Sequence, residues 1–408
     1  MIPFEEALAI TLSSAPDPKP ERIPLAQAVG RVLASDIPSD IDMPPFDKAA
    51  VDGFACQRAD LSVETGHAVE TGHAVETGHA PSLRIVETIP AGKIPANAIG
   101  PGECARIMTG AMLPVGADAV IMLEDTEEMT KDHIRFIREK TAPNICHRGE
   151  DIRRGDNVLS AGSLITIPAI AVLASVGTVD VPVFRQPSVA ILSTGDELVE
   201  PASMPGPAMI RNSNSSQLVA QVGQMQLQAT DLGIARDSRE ELAGKIEEGL
   251  GRSDVLIVSG GVSMGDYDFV PAILKELGLE VLFKSVAIQP GRPTLFGRKG
   301  TKSIFGLPGN PVSSFVIFEI LVKPFIYQWM GHRFNPPMIL LPMGEAFRRK
   351  KSTRRSILPV CIRNGEIFPV DYHGSAHIHS YINAEGLIAI EIGTSELKKG
   401  EPLDVRLL

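Results

Sequence analysis

The residues best equipped for chemistry in this chain stand just after apolar runs. In DVLIVSGGVSMGDYD, residues 254–268, four aliphatic residues give way to Ser259, Gly260, Gly261, Ser263, Asp266 and Asp268. Glycines let backbone N–H groups approach a ligand closely, as phosphate sites require, and serines add hydroxyl donors. Carboxylates supply hard oxygens for Mg2+, which commonly joins one or two of them to phosphate. Three more turns have this character: Ser193-Thr194-Gly195-Asp196-Glu197, the end of IARD at Asp237, and Leu307-Pro308-Gly309-Asn310-Pro311. One such turn alone is an ordinary exposed loop. Four on one edge make a site for a phosphorylated ligand and its metal. Neither the Rossmann G-x-G-x-x-G nor a P-loop Gly-Lys-Ser/Thr is present, so an ordinary dinucleotide or NTPase reading fails.

Other stretches offer cations and isolated polar groups. VAIQPGRPTLFG, residues 286–297, sets Gln289, Pro290 and Arg292 in a turn stiffened by two prolines, with Lys284 just upstream. Such a turn can present Arg292 to an oxyanion. Thr109 and Gly110 end a strand in RIMTGAML, and CHRGEDIRRGD, residues 146–156, contains Asp151 among acids and arginines. The basic run FRRKKSTRR ends at Arg354 and Arg355 and is either a solvated hairpin or an anion site. Ser375 lies in YHGSAHIHS. His377 and His379 there, like His147, lack a completing metal set and read as structural.

These residues need elements to gather them. From residue 186, strand-like and helix-like segments alternate: SVAILSTGDEL, SNSSQLVAQVGQM, QATDLGIARD, SREELAGKIEEGL, DVLIVSGG, FVPAILKELG and SIFGLPGNP. Ser238 and Glu241 form a capping box, and Leu242, Ile246 and Leu250 share one helical face. Such alternation implies an α/β fold with a doubly wound parallel sheet, whose strands deliver their carboxyl ends to one edge. Asn310 caps and Pro311 opens a helix over 312–330, which Pro324 should kink or split. Residues 81–179 carry short β-type runs, SLRIVETI, GECARIMTG, DAVIMLED and HIRFIRE, and predict a β-rich inserted domain. After Gly331, RSILPVCIR, EIFPVDY, LIAIEIG and EPLDVRLL predict a C-terminal β domain.

The totals bound the function. A length of 408 residues allows two to four domains. The formal net charge of −10 argues against nucleic acid as the main partner. Glu319 and Lys323 interrupt the longest apolar stretch, and the N-terminus has no signal-peptide pattern, so no membrane role and a cytoplasmic location are expected. The four cysteines form no C-x-x-C and read as reduced thiols. Residues 63–80 repeat VETGHA three times. The H-x5-H-x5-H spacing puts no two histidines on one face at short range, so a tolerated surface expansion is a better reading than a metal site.

The ordered set PPFDKAAVDGFA, RIMTGAMLPVGADAVIMLED, RGEDIRRGD, ILSTGDEL, VSGGVSMGDYDF, PGRPTLFG, LPGNPVSSF and GSAHIHS resembles the molybdopterin molybdenumtransferase family, the MoeA type, seen also in the E domain of gephyrin. The resemblance spans nearly the whole chain. It implies insertion of molybdate into adenylylated molybdopterin with release of AMP, dependent on Mg2+, in an elongated homodimer. It implies contacts with the adenylyltransferase of the pathway and with molybdoenzymes. It implies a discontinuous domain over 1–45 and 143–180, a β-rich domain over 46–142 that holds the repeat, the α/β domain over 181–330, and a C-terminal domain over 331–408. Carried over by motif, Asp268, Asp237, Glu197, Asp52, Thr109 and Asp151 are catalytic, and Asp196, Glu197 and Asp268 hold the metal. Arg355, or Arg354 beside it, and Ser375 match the molybdate positions. The sequence departs from the pattern at Gln289, where the family often has Lys, and Lys284 lies one place off the expected upstream position. VETGHA is foreign to the pattern.

Two other readings use the same residues. SGGVSMGD could serve a molybdopterin adenylyltransferase or a nucleotide pyrophosphatase. A dimeric scaffold that binds partner peptides is also compatible with the gephyrin resemblance.

Overall fold

The computed structural model describes residues 1–61, 82–262, 269–371, 374 and 376–408. The VETGHA repeat, Ser263, Asp266, Asp268 and Ser375 lie outside the described residues. The chain forms two compact units, one of residues 1–35, 161–171 and 179–408, the other of residues 36–160 and 172–178.

The first unit contains a six-stranded sheet of β1 (Val189–Thr194), β2 (Ala229–Ala235), β3 (Val255–Ser259), β4 (Glu280–Phe283), β5 (Leu295–Lys299) and β6 (Lys302–Leu307), in the order β2-β1-β3-β6-β5-β4. The first four neighbours are parallel, and β5 runs against both of its neighbours. The four strands expected from the alternating pattern are all present; β4 and β5 are additions.

Alternation within these strands explains the double winding. Val189, Ile191, Val255, Ile257, Phe305 and Leu307 enter one core, and Ala190, Leu192, Leu256, Val258 and Ile304 the other. Both faces are covered, so the strands read as unbroken apolar runs. On the second face lies the helix Arg239–Arg252, whose Ser238 cap accepts from the Glu241 amide at 3.3 Å and which buries Leu242 and Ile246. On the first face lie Ser213–Gln224 and the run Pro311–Trp329. That run is long and apolar enough to cross a membrane, but 78% of it is buried within the protein. Pro324 splits it as expected. The preceding turn, Phe318–Val322, is π-helical, and a new α-helix starts at Lys323 with the proline in its first turn.

The C-terminal sheet has the order Ile288–Gln289, Arg355–Arg363, Gly386–Ile390, Pro402–Leu407, Met338–Pro342, with Glu366–Pro369 paired to the second of these. Its four expected strands are present. Its first strand is borrowed from the α/β region: Ile288 and Gln289 run parallel to Arg355 and Ser356.

The second unit holds a sheet in the order Ala119–Met122, Gly53–Cys56, Glu103–Ile107, Ser82–Ile89, His133–Phe136, Thr126–Thr130. The four β-type runs expected here are strands. Gly53–Cys56 is a fully buried strand between two of them.

Candidate functional site

The carboxyl ends of β1, β3 and β6 converge. Gly260 has φ +98°, and a Cβ there would lie 2.5 Å from the Thr194 carbonyl, so only glycine lets β3 leave beside β1. The Gly260 amide donates to Leu307 O at 3.0 Å, and a Cβ on Gly309 would lie 3.7 Å from Gly260 Cα. Ser259 Oγ accepts from Asn214 at 2.7 Å. Ser193 is wholly buried and donates to Asn212 Oδ1 at 2.9 Å, so its hydroxyl serves the frame beneath the turn. Thr194 Oγ1 is buried with no hydrogen-bond partner among the described residues.

The acidic turns after β1 and β2 also meet. Asp196 Oδ1 accepts from the Asp237 amide at 3.1 Å, and Arg236 holds the turn by donating to the carbonyls of Asp196 and Leu198 at 2.9 and 3.1 Å. Glu197 folds back over Gly195, where an added Cβ would lie 2.5 Å from its carboxylate. No group of three or more His, Cys, Asp or Glu among the described residues could hold a metal. Mg2+ needs less than that, since it commonly takes one or two carboxylates with phosphate oxygens. The turn after β1 offers two carboxylates, Asp196 and Glu197.

A cavity of about 480 Å³ opens where β6, the 289–293 turn and the C-terminal sheet meet. Gln289, Pro290, Gly291, Arg292, Pro308, Asn310, Ser313, Arg354 and Gly374 line it. Parallel pairing of Ile288 and Gln289 with Arg355 and Ser356 brings the proline turn there, and Thr294 Oγ1 locks it by donating to Gly291 O at 2.6 Å. A second cavity, also about 480 Å³, shares Gln289, Pro290, Arg354 and Gly374 and adds Arg349, Lys350 and Lys351. Arg349, Lys350, Lys351 and Arg354 therefore form the cationic wall of a cleft.

Arg354 and Arg355 point to different places. Arg354 lines both cavities and donates to Ile288 O at 3.4 Å. Arg355 pairs with Glu5 and, at 2.9 Å, with Glu391, and its guanidinium lies 5.4 Å from the Phe4 ring centroid. Lys284 is exposed and lines neither cavity.

In the second unit, Asp52 Oδ1 accepts from both the amide and the hydroxyl of Thr109, each at 2.6 Å. The hydroxyl first, then the amide, hold the Asp52 carboxyl below the usual carboxylate range. The same segment stitches the other motifs together. Ala49 O accepts from Gly110 at 2.8 Å, Pro44 O from Gly149 at 2.9 Å, and Met43 O from Asp151 at 3.1 Å.

Sequence reasoning missed Ser313 and Asn214. Both sit in helix starts, and for Asn214 the signal was the polar run NSNSS that opens an otherwise amphipathic helix.

Residues 2–177 match the MoeA N-terminal region (domain I and II), residues 190–328 a probable molybdopterin binding domain, and residues 342–408 the MoeA C-terminal region (domain IV). A molybdopterin molybdenumtransferase of Bacillus subtilis (strain 168) is 33% identical over 422 residues, covering 100% of this chain and 94% of the relative. One of Staphylococcus aureus (strain Mu50 / ATCC 700699) is 32% identical over 413 residues, covering 100% and 95%. A solved molybdopterin biosynthesis moeA protein from Pyrococcus horikoshii OT3 superposes with a TM-score of 0.81 at 28% identity, covering 100% of both chains. With full-length similarity above 30% and the three regions in order, the chain belongs to the molybdopterin molybdenumtransferase (MoeA) family.

Proposed function

We propose that the chain is a molybdopterin molybdotransferase, which inserts molybdate into adenylylated molybdopterin and releases AMP. The observation that carries this reading is the cationic cavity where Arg292, Arg354, the 308–310 turn and Gly374 meet at the edge of the α/β sheet. Guanidinium groups suit a tetrahedral oxyanion such as molybdate, and Gln289 at the same wall adds an amide where the family often has Lys. The Gly260-Gly261 turn and Thr194 suit the phosphate portion of the pterin nucleotide. Ser263, Asp268 and Ser375, outside the described residues, belong to this reading by motif.

The chemistry follows from holding both substrates together, which removes much of the entropic cost of their encounter. Soft dithiolene sulfurs replace an oxide on molybdenum, and that oxide leaves as water with the two thiol protons. A carboxylate, with Asp237 and Asp268 as candidates, orients water at the phosphoanhydride so that AMP departs. Mg2+, held by Asp196 and Glu197 with Asp268, would neutralise phosphate charge. Asp52, Thr109 and Asp151 complete the cleft of a partner copy in the homodimer this reading includes.

Purified protein is mixed with adenylylated molybdopterin, Mg2+ and molybdate, and AMP is followed. Release that depends on molybdate supports the proposal. Adenylylation of molybdopterin from ATP without molybdate would favour the adenylyltransferase reading instead, and partner binding without either reaction would favour a scaffold.

A further inference from the structure

We propose that Asn214 is a positioning residue for the pterin-nucleotide cleft. It holds the Gly260-Gly261 turn and the 308–310 turn at the one separation that lets both grip a single ligand. The claim about the ligand rests on the function proposed above; the claim about geometry does not.

Asn214 is the second residue of the helix Ser213–Gln224 and is buried. Its Nδ2 donates to Ser259 Oγ at 2.7 Å and to Gly309 O at 2.8 Å. One amide group thus uses both of its protons on the last residue of β3 and on the turn after β6, 45 and 95 residues away in the chain. Only a side chain with two donors on one nitrogen satisfies this geometry. Aspartate would set a lone pair against the Gly309 carbonyl, and alanine would leave both acceptors facing an empty space. Neighbouring residues extend the frame. Asn212 Oδ1 takes the Ser193 hydroxyl at 2.9 Å and the Ser215 amide at 3.2 Å, and Ser215 Oγ reaches Asp231 Oδ1 at 3.2 Å. A single helix start therefore ties β1, β2, β3 and the turn after β6 together. Asn214 acts through those turns.

The test compares the full-length protein with N214A, N214D and S259A. In the ligand-free state, amide hydrogen exchange over 259–262 and 307–310 is expected to quicken about tenfold in N214A and N214D, and less in S259A. Calorimetric titration with molybdopterin should then show affinity about tenfold weaker, with the affinity for molybdate within twofold of wild type. Folded variants with wild-type exchange, or with faster exchange and unchanged molybdopterin affinity, overturn the proposal. If N214A and N214D do not fold, S259A, which removes one of the two bonds, carries the same comparison. If the wild-type protein takes up no molybdopterin, the ligand reading falls, and exchange alone decides whether Asn214 sets the turns.

Discussion

Ile288 lies in parallel register with Arg355, so the turn that begins at Gln289 is held by the C-terminal sheet after it leaves the α/β sheet. Strand pairing of two residues thereby helps to build a pocket from four sequence segments: the 289–293 turn, the 308–313 stretch, Arg354 just before the Arg355–Arg363 strand, and Gly374. Consecutive residues at that strand start diverge. Arg354 faces the cavity, and Arg355 is engaged by Glu5 and Glu391.

Substituting these two arginines should separate binding from stability. R354A removes a cation from the proposed oxyanion site and is expected to weaken molybdate binding about tenfold to a hundredfold, as loss of a charged hydrogen bond of about 1.5–3 kcal/mol implies. R355A should leave molybdate affinity within about threefold and lower the melting temperature by about 2–4 °C, corresponding to about 1 kcal/mol. Titration calorimetry and thermal melts of both variants check this, and the reverse pattern would assign the oxyanion to Arg355.

Asp52 gives a pH signature. Its folded-state pKa is depressed by the Thr109 hydroxyl and amide. The contribution to stability is therefore present above the unfolded value, about 3.9, and lost as pH falls through the lower folded value. T109V removes the hydroxyl bond, so the Asp52 titration midpoint should rise toward the ordinary carboxylate range. A carbon-13 titration of the Asp52 carboxyl measures this directly, and an unmoved midpoint contradicts the assignment.

Cys56 and Cys104 face one another across paired strands as free, buried thiols. Burial pushes both up to about 12. A thiol reagent at pH 8 should leave both unmodified in the native protein, because the thiolate is the reactive form. Partly exposed Cys146 should react first, and all four thiols should react after denaturation. Rapid native labelling of Cys56 or Cys104 would show that the second unit's sheet opens readily.

Glu319 is buried where the α/β helix run meets the last strand of the chain. Its carboxylate contacts Lys323 Nζ at 3.0 Å, Gln221 Nε2 at 3.0 Å and Arg406 at 3.6 Å. E319A strands two largely buried cations and should cost about 3–5 kcal/mol in denaturant unfolding. A loss below about 1 kcal/mol would mean that water reaches these cations without the carboxylate.

The parallel core was legible because both faces are buried. Val189, Ala190, Ile191 and Leu192 form a continuous apolar run that only a strand covered on both sides requires. The turns after β1, β3 and β6 were legible for the same reason, since glycine and polar residues stop such runs abruptly. Ile288–Gln289 was not legible, because a two-residue strand has no periodicity and its partner is a different domain's strand. Arg354 and Arg355 could not be separated, since neighbouring strand residues point to opposite faces and the phase is set by pairing partners. Asn214 read as part of a helix start; its two acceptors come from turns that become neighbours only when the sheet forms. Lys284 stood at nearly the right place in the sequence, yet it is exposed and away from both cavities.

The proposed site holds an oxyanion and a pterin nucleotide in one cleft at once. AMP production by the full-length protein from adenylylated molybdopterin with Mg2+, with and without molybdate, tests it most directly. AMP formation is expected to rise with molybdate and saturate, and R354A to shift this rise to higher molybdate concentrations. AMP formation indifferent to molybdate, or none at all from protein that binds the pterin nucleotide, would contradict it.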